Sequence, residues 1–426
     1  MGATGLIGAA LVARLEQDGH VVILGARHAA AADEGQVGRR WLPIDYTKPT
    51  ALDVASLRGV DVIVNAVGIF AERADASFHA LHVNGPCNLF ALAAQAGVRR
   101  VLQISALGAA TDAPTAYLRS KAQGDACAAA FPGEAIIVRP SLVFSPRGAS
   151  SQLFLRLATL RWLPLPEAAA PVQPLHLDDL VDGLAALVGQ PDPPRQIDAV
   201  GPAPLGFGDY LRTLGRSLGH APRILPLPGS VTRMLSAALA RLPGSLLSPD
   251  ALTMLARGNY ADLGPWQHLL GRPPRPPERF IAPAQAAAVR REAVLANLLP
   301  LLRLSLSVTW LVTAWVSAFV YPRAASLALL ERAHTPAIVA PLALYGAAAL
   351  DALLGLAMWL PRGRAAVYRV QLALIGFYTA IISLWLPEYW AHPYGPVLKN
   401  LPMLALIYAL LRLEPHRGGL LGHRRR

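Results

Sequence analysis

Two regimes of apolar patterning divide the chain. Over roughly the first 220 residues, short apolar runs alternate with amphipathic stretches of helical period: Val21–Leu24, Trp41–Asp45, Val60–Asn65, Val101–Ile104 and Ile136–Phe144 read as buried strands. Between them, Ala9–Gln17 repeats apolar Ala10, Leu11 and Leu15 at helical spacing before Asp18-Gly19 stops it, and Leu81–Gly97 and Phe207–Leu218 read as further helices. Strand and helix in alternation predict an α/β fold, a Rossmann-type doubly wound parallel sheet, over residues 1–220. From Ala221 to about Pro283 the pattern gives helices broken by Pro and Gly, among them Val231–Leu242 and Ser248–Arg257. Their apolar Met234, Leu235, Leu252 and Leu255 suit a core as well as a greasy substrate, and residues 221–290 are read as a substrate-side segment and linker.

The second regime begins near Pro300. Leu302–Tyr321, Ala337–Leu360, Ala365–Leu386 and Pro396–Leu413 are long apolar stretches. A hydrocarbon core about 30 Å thick asks for roughly 20 apolar residues per helix, which three meet comfortably while the last is the shortest. Residues 291–426 are thus expected to form an all-α bundle of four transmembrane helices.

Composition agrees: 54% of residues are hydrophobic and only 15% charged, high for a soluble enzyme. The net charge of +12 lies mostly on scattered arginines and forms no basic stripe with interleaved aromatics, which argues against nucleic acid as a partner. Arg290, Arg291, Arg303, Arg362, Arg364, Arg369, Arg412, Arg417, Arg424, Arg425 and Arg426 flank one side of the apolar stretches, against Arg323, Arg332 and Lys399 on the other. Eleven against three predicts an inner or plasma membrane protein with both termini and the N-terminal domain in the cytoplasm. Trp385, Tyr389 and Trp390 then cluster at the outer interface. No cleavable signal peptide is visible, and Cys87 and Cys127 alone suggest neither a disulfide framework nor a CxxC metal pattern, with a reducing compartment the simplest context.

The candidate chemistry starts at Gly2-Ala-Thr4-Gly5-Leu6-Ile7-Gly8, a GxxGxxG turn leading into a helix. Glycines at this spacing permit a tight turn on which a diphosphate meets free helix N–H groups. A Rossmann unit has a central strand before this turn, yet Met1 stands immediately before Gly2, so a strand upstream of a misassigned or truncated start is expected. Arg27 falls where an acid would take ribose hydroxyls and where an Arg suits a 2′-phosphate, which favours NADP(H) with NAD(H) as the alternative. Asp45 ends the third strand where it would meet an adenine edge, and Asn65-Ala66-Val67-Gly68 is a small-residue turn that lets backbone approach a cofactor. Ser105 stands at a strand's C-terminal end, and Tyr117 and Lys121, four apart on a helix, point into one site, where the cation is expected to lower the phenol's pKa.

These motifs together, with Ala106-Leu107-Gly108 after Ser105, resemble an atypical or extended short-chain dehydrogenase/reductase, most similar to the branch containing the nucleotide-binding accessory subunit of respiratory complex I. The resemblance covers about two thirds of the chain. It implies Tyr117 as proton donor, Lys121 on the nicotinamide ribose, Ser105 polarising a substrate carbonyl, and Pro140 beside the nicotinamide. Pro174–Leu180 resembles the segment that returns to the sheet, with Asp178 or Asp179 as a helix N-cap and His176 as a packed residue or a substrate contact. Ser383-Leu-Trp-Leu-Pro-Glu-Tyr-Trp-Ala-His-Pro-Tyr-Gly-Pro-Val-Leu-Lys-Asn-Leu-Pro402 resembles the DoxX-like family of four-helix membrane proteins. Within that region Asp351 is an ionisable group deep in an apolar helix, functional by default, paired with Arg369 or protonated. Glu388, His392 and Lys399 read as a solvated loop, with a metal or quinone-head site as the sharper alternative.

The reading is a membrane-anchored oxidoreductase moving hydride between a nicotinamide cofactor and a carbonyl or alcohol of a lipid-like or quinone-like small molecule. The alternatives are a non-catalytic dinucleotide-binding scaffold or redox sensor, and a nucleotide-sugar epimerase or dehydratase.

Overall fold

The computed structural model describes residues 1–27, 39–48, 52–227, 249–360 and 362–414, and the chain divides into two compact units, Met1–Ala293 and Val294–Arg426. The helix expected at Val231–Leu242, with Met234 and Leu235, and the tail arginines Arg417 and Arg424–Arg426 lie outside the described residues.

Among the described residues of the first unit, the two main parallel sheets are built from β1 (Ile23–Ala26), β2 (Arg40–Pro43), β3 (Val62–Asn65), β4 (Arg100–Ile104), β5 (Glu134–Pro140) and β6 (Gln196–Ala199). They form two sheets, of order β2-β1 and β6-β5-β4-β3. Met1 stands between them. Its amino group donates to Val64 O at 2.5 Å, its carbonyl accepts from Ala66 N–H at 3.1 Å, and the next amide, Gly2, donates to Gly25 O at 2.9 Å.

The central strands β3, β4 and β5 are mostly apolar along their middles because both faces are covered. Alternate residues point opposite ways. Leu102, Ile104, Ile136 and Val138 face Leu11 and Leu15 of α1 (Leu6–Gln17) together with Leu180 and Leu184 of the helix Leu177–Gly189. Val101 and Ile137 face Leu89, Phe90 and Ala93 of α2 (Gly85–Ala96) and Ala128 of α3 (Ala116–Ala129). Side by side on that face, α2 and α3 bring Cys87 and Cys127 to a Cα separation of 5.1 Å, where they form a disulfide. The expectation of unlinked cysteines is thereby corrected; nothing in a 40-residue separation announces that two helices pack together. A second core gathers Phe144, Leu155 of α4 (Ala149–Ala158), Tyr210 and Leu214 of the helix Phe207–Ser217, and Phe280 and Ile281. In chain order the helices after α4 are α5 (Leu177–Gly189), α6 (Phe207–Ser217), α7 (Pro249–Ala256) and α8 (Gly264–Leu270).

The boundary between the units falls inside α9 (Pro283–Trp315), which continues through a π turn, Val316–Val320. The second unit adds α10 (Arg323–Arg332), α11 (Ala340–Ala357), α12 (Arg364–Trp385) and α13 (Asn400–Leu413). Among the described residues three segments are long and apolar enough to cross a membrane: Pro283–Val320, Ala340–Ala357 and Arg364–Trp385. The fourth expected span is shorter than proposed: α13 has 14 residues, about 21 Å at the α-helical rise. Leu306, Trp310, Leu354, Met358, Tyr368, Ile375, Ile407 and Leu410 form the bundle core, while Phe319, Leu342, Leu353 and Leu384 point outward and are exposed. An apolar exterior around an apolar core is what a lipid solvent permits. Gly355 lets α9 and α11 approach closely, its carbonyl accepting from Ser307 Oγ at 2.8 Å. Asp351 is buried with Oδ1 unpartnered and forms no ion pair with the exposed Arg369, which corrects that expected pairing. Ion pairs in this unit form elsewhere: Glu414 binds Arg303 at 2.5 Å and lies 3.6 Å from Arg364.

Candidate functional site

The glycine turn is dictated by close approach. Gly2 has φ +78°, a left-handed conformation, and a Cβ on it would meet the backbone of Ala66 and Val67 at 3.1–3.2 Å. A Cβ on Gly8 would run into the Gly2 carbonyl, which also accepts from Gly5 N–H at 2.9 Å. Gly5 caps α1 in extended conformation with no side chain on the first-turn amides, and no acid occupies that turn. Thr4, Gly5 and Leu6 are exposed, so the amides of Leu6 and Ile7 start a helix whose positive end is free of side-chain caps. These residues fit a dinucleotide diphosphate.

The second turn is packed against the first. Asn65 is buried, accepts from Tyr46 OH at 3.0 Å and Val67 N–H at 3.3 Å, and donates to Gln103 Oε1 at 2.7 Å. That locks Ala66, Val67 and Gly68 in place. A Cβ on Gly68 would stand 3.2 Å from Lys121 Nζ and 3.5 Å from His82 Nε2, so the backbone passes directly beside the lysine. Arg27 follows β1 and is exposed. Asp45 spends Oδ1 on Thr47, accepting from its hydroxyl at 2.6 Å and its N–H at 3.0 Å. The Thr47 hydroxyl, with smaller help from Lys48 and Arg27, holds this carboxyl below its usual range.

The catalytic candidates converge on α3. Thr115 caps it, accepting from Leu118 N–H, and Tyr117, Lys121 and Asp125 follow at intervals of four on one buried face. Lys121 Nζ donates to the carbonyl of Ile104 at 2.9 Å, which ties α3 to the end of β4, and burial lowers its pKa to about 8 despite the nearby Asp125. Tyr117 lies among Phe70, Phe78 and His82, with ring centroids 5.2, 5.9 and 5.7 Å away. Burial, and then the Asp125 charge, push the phenol above its ordinary pKa. In place of the expected lowering by Lys121, burial of the phenol and the Asp125 charge raise its pKa, and Tyr117 rests as the protonated acid.

Ser105 continues β4, its N–H donating to Val138 O at 2.8 Å, and its hydroxyl donates to Asp125 Oδ2 at 2.6 Å. Pro140 ends β5 nearby, its carbonyl accepting from Leu107 N–H at 3.0 Å.

Several participants escaped the sequence reading. Asp125 had a signal in its spacing, one turn beyond Lys121. His82 had none, since it comes from a π turn, His79–Asn84. Its Nε2 accepts from Ile69 N–H at 3.0 Å, so Nδ1 carries the proton, 2.9 Å from Ser120 Oγ; that hydroxyl in turn donates to the Tyr117 carbonyl at 2.8 Å. Burial first, then Lys121, lower its pKa to about 3, and it stays neutral.

His176, not Asp178 or Asp179, caps α5: Nδ1 accepts from Asp178 N–H at 3.2 Å, and the ring packs on Phe144 and Phe280. Asp179 instead accepts from Arg275 N–H at 2.7 Å and pairs with Arg272. In the second unit Glu388 pairs with Arg332, His392 stacks on Tyr389, and Lys399 immediately precedes α13 with no side-chain capping hydrogen bond. Among the described residues no cluster of three or more His, Cys, Asp or Glu could hold a metal ion.

Residues 1–198 match the NAD dependent epimerase/dehydratase family, and residues 307–408 the DoxX-like family. Among curated proteins the chain is similar to NADH dehydrogenase (ubiquinone) 1 alpha subcomplex subunit 9, mitochondrial, of Mus musculus, 28% identical over 207 residues, 45% of this chain and 52% of that protein. It is also similar to ceramide reductase of Caulobacter vibrioides, 26% identical over 236 residues, 53% of this chain and 72% of that protein. The chain spans about half the length of the mouse and rat subunits it matches. In fold it resembles a nucleoside-diphosphate-sugar epimerase from Staphylococcus aureus (TM-score 0.55, 16% identity, 66% of this chain and 97% of that one). A second such structure is an NADPH-dependent quinone oxidoreductase from Escherichia coli complexed with NADPH (TM-score 0.53, 17% identity, 65% and 95%).

Proposed function

For a chain that joins a nucleotide domain of the epimerase/dehydratase kind to a DoxX-like membrane region, we propose a membrane-anchored oxidoreductase that moves hydride between a nicotinamide cofactor and the carbonyl or alcohol of a lipophilic substrate. The observation that carries this reading is the setting of Tyr117: a protonated phenol on one helix face with Lys121, enclosed by Phe70 and Phe78 and clustered with Ala106, Ala113, Leu118 and Met254. An acid in an aromatic and aliphatic enclosure suits an apolar ketone or alcohol. Similarity to a ceramide reductase supports a lipid substrate.

A bound nicotinamide dinucleotide supplies or accepts the hydride. Leu6 and Ile7 amides and the Gly2–Gly8 turn would hold its diphosphate, and Arg27 a 2′-phosphate, which favours NADP(H) over NAD(H). Ala66, Val67, Gly68 and Pro140 would help hold it beside Lys121. In reduction, Tyr117 gives its proton to the substrate oxygen; Lys121, a turn away on the same face, stabilises the phenolate that remains, and Ser105 orients the oxygen. The arginines on the Arg290–Arg303 and Arg362–Arg369 side favour a cytoplasmic nucleotide domain.

The test is fluorescence titration of the full chain in detergent with NADPH and NADH, followed by a panel of long-chain carbonyls and quinones. Binding followed by oxidation of the nicotinamide is expected. Binding without oxidation across the panel would favour a dinucleotide-holding subunit, the second reading, which the similarity to mitochondrial NADH dehydrogenase subunits supports. Failure of both dinucleotides to bind would remove both readings.

A further inference from the structure

The hydrogen bond from Ser105 to Asp125 limits what the serine can do. Both residues are buried, and Ser105 Oγ, whose hydroxyl carries a single proton, stands 2.6 Å from Asp125 Oδ2. With that proton committed, Ser105 offers its surroundings only lone pairs. It is then able to accept from a substrate alcohol and unable to donate to a substrate carbonyl.

Asp125 is built to hold either state. Its Oδ1 is buried and has no partner among the described residues, so Ser105 on Oδ2 is the hydroxyl with which the carboxyl can share a proton. The groups around it come from four elements. Lys121 and Tyr117 precede it on α3, Ser105 ends β4, Arg139 on β5 stands 3.7 Å from Oδ2, and Asp198 on β6 shares Arg139. His82, neutral, faces Lys121 from the π turn. Burial raises the Asp125 pKa above the ordinary carboxylate value, opposed by the Ser105 hydrogen bond, Arg139 and Lys121.

We propose that Asp125 is a positioning residue that sets the polarity of Ser105. As a carboxylate it holds the serine proton and presents Ser105 as an acceptor for an alcohol. When one proton from solvent hydronium adds to Oδ2, the resulting acid donates to Ser105 Oγ and releases the serine hydroxyl to donate to a carbonyl oxygen. No bond to carbon changes in this exchange, and the only species gained or lost is that proton. The inference deepens the oxidoreductase reading and rests on it for its consequence in turnover, while the Ser105–Asp125 exchange itself is measurable without turnover.

Two measurements on the full chain in detergent test it. The first is the pH profile of kcat/KM for dodecanal reduction by NADPH in mixed micelles. In the wild type, reduction should fall about tenfold per pH unit above the Asp125 titration. In Asp125→Asn, whose amide donates permanently to Ser105, that limb should vanish. Ser105→Ala should be slow throughout with the limb also gone. Retention of the limb in Asp125→Asn would overturn the proposal.

The second is infrared difference spectroscopy of the carboxyl band against pH without substrate. A titrating band is expected that is lost in Asp125→Asn and shifted in Ser105→Ala. A band indifferent to Ser105→Ala, or no titrating band lost in Asp125→Asn, overturns the switch whatever the activity. If the band behaves as expected while no variant turns over, the oxidoreductase reading falls and the Ser105–Asp125 switch stands.

Discussion

Gly124 of α3 and the carbonyl of His82 are in direct backbone contact, so close that no Cβ fits between them. This approach presses the π turn against the helix that carries Tyr117 and Lys121, and it places His82 within reach of Ser120. Gly124→Ala would have to push the two elements apart. Overpacking of this kind costs about 1–3 kcal/mol or more, so a clear loss of thermal stability together with weakened activity is expected in a melt of the purified chain.

Tyr117→Phe keeps the ring stack on Phe70 and removes the proton. Turnover should drop by about 10²- to 10⁴-fold, the range of a general acid, with dinucleotide affinity unchanged. Single-turnover oxidation of bound NADPH measures it, and wild-type rates in the variant would take Tyr117 out of the chemistry.

Arg27 is exposed beside the first glycine turn, free to meet a 2′-phosphate. Removing a charged hydrogen bond of this type costs about 1.5–3 kcal/mol, so Arg27→Ala should weaken NADPH by about tenfold or more and leave NADH unaffected. Equal losses for both dinucleotides would assign Arg27 to the fold and not to cofactor choice.

His82 makes stability depend on pH in a defined direction. Its pKa falls from 6.5 to about 3 on folding, so between those values the unfolded chain binds the additional proton. Stability is therefore present above pH 6.5 and is lost as pH falls towards about 3, by at most about 1.4 kcal/mol per unit. Melting temperatures of wild type and His82→Asn measured from neutral to acid pH should converge as the pH drops.

Glu414 is buried at the end of α13 against Arg303 of α9. Glu414→Ala leaves that guanidinium without its partner, and breaking a buried pair costs about 3–5 kcal/mol. Loss of the folded bundle on heating should come markedly earlier in the variant, while the substitution Leu342→Ala on the outward face should leave it nearly unchanged.

Much of this molecule is local and therefore legible in its sequence. Alternating apolar runs and helical periods specify the parallel strands and the helices on their faces; glycine spacing specifies the turn before α1; the four-residue interval specifies that Tyr117 and Lys121 share a face; and length with apolarity marks the apolar helices, four expected as spans, of which three among the described residues have the length. Each depends on residues near one another along the chain, where covalent geometry does the placing. What tertiary structure alone decided lies in contacts between distant segments. The disulfide between Cys87 and Cys127 follows from two helices sharing one sheet face, and the aromatic enclosure of Tyr117 from a loop and a π turn folding over α3. The raised pKa of Tyr117 follows from its desolvation, and the commitment of the Ser105 proton to Asp125 from the end of β4 meeting the third turn of α3. No periodicity encodes these, because burial and hydrogen-bond partnership are properties of the packed chain, and a side chain's chemistry is set by what surrounds it once water has been removed.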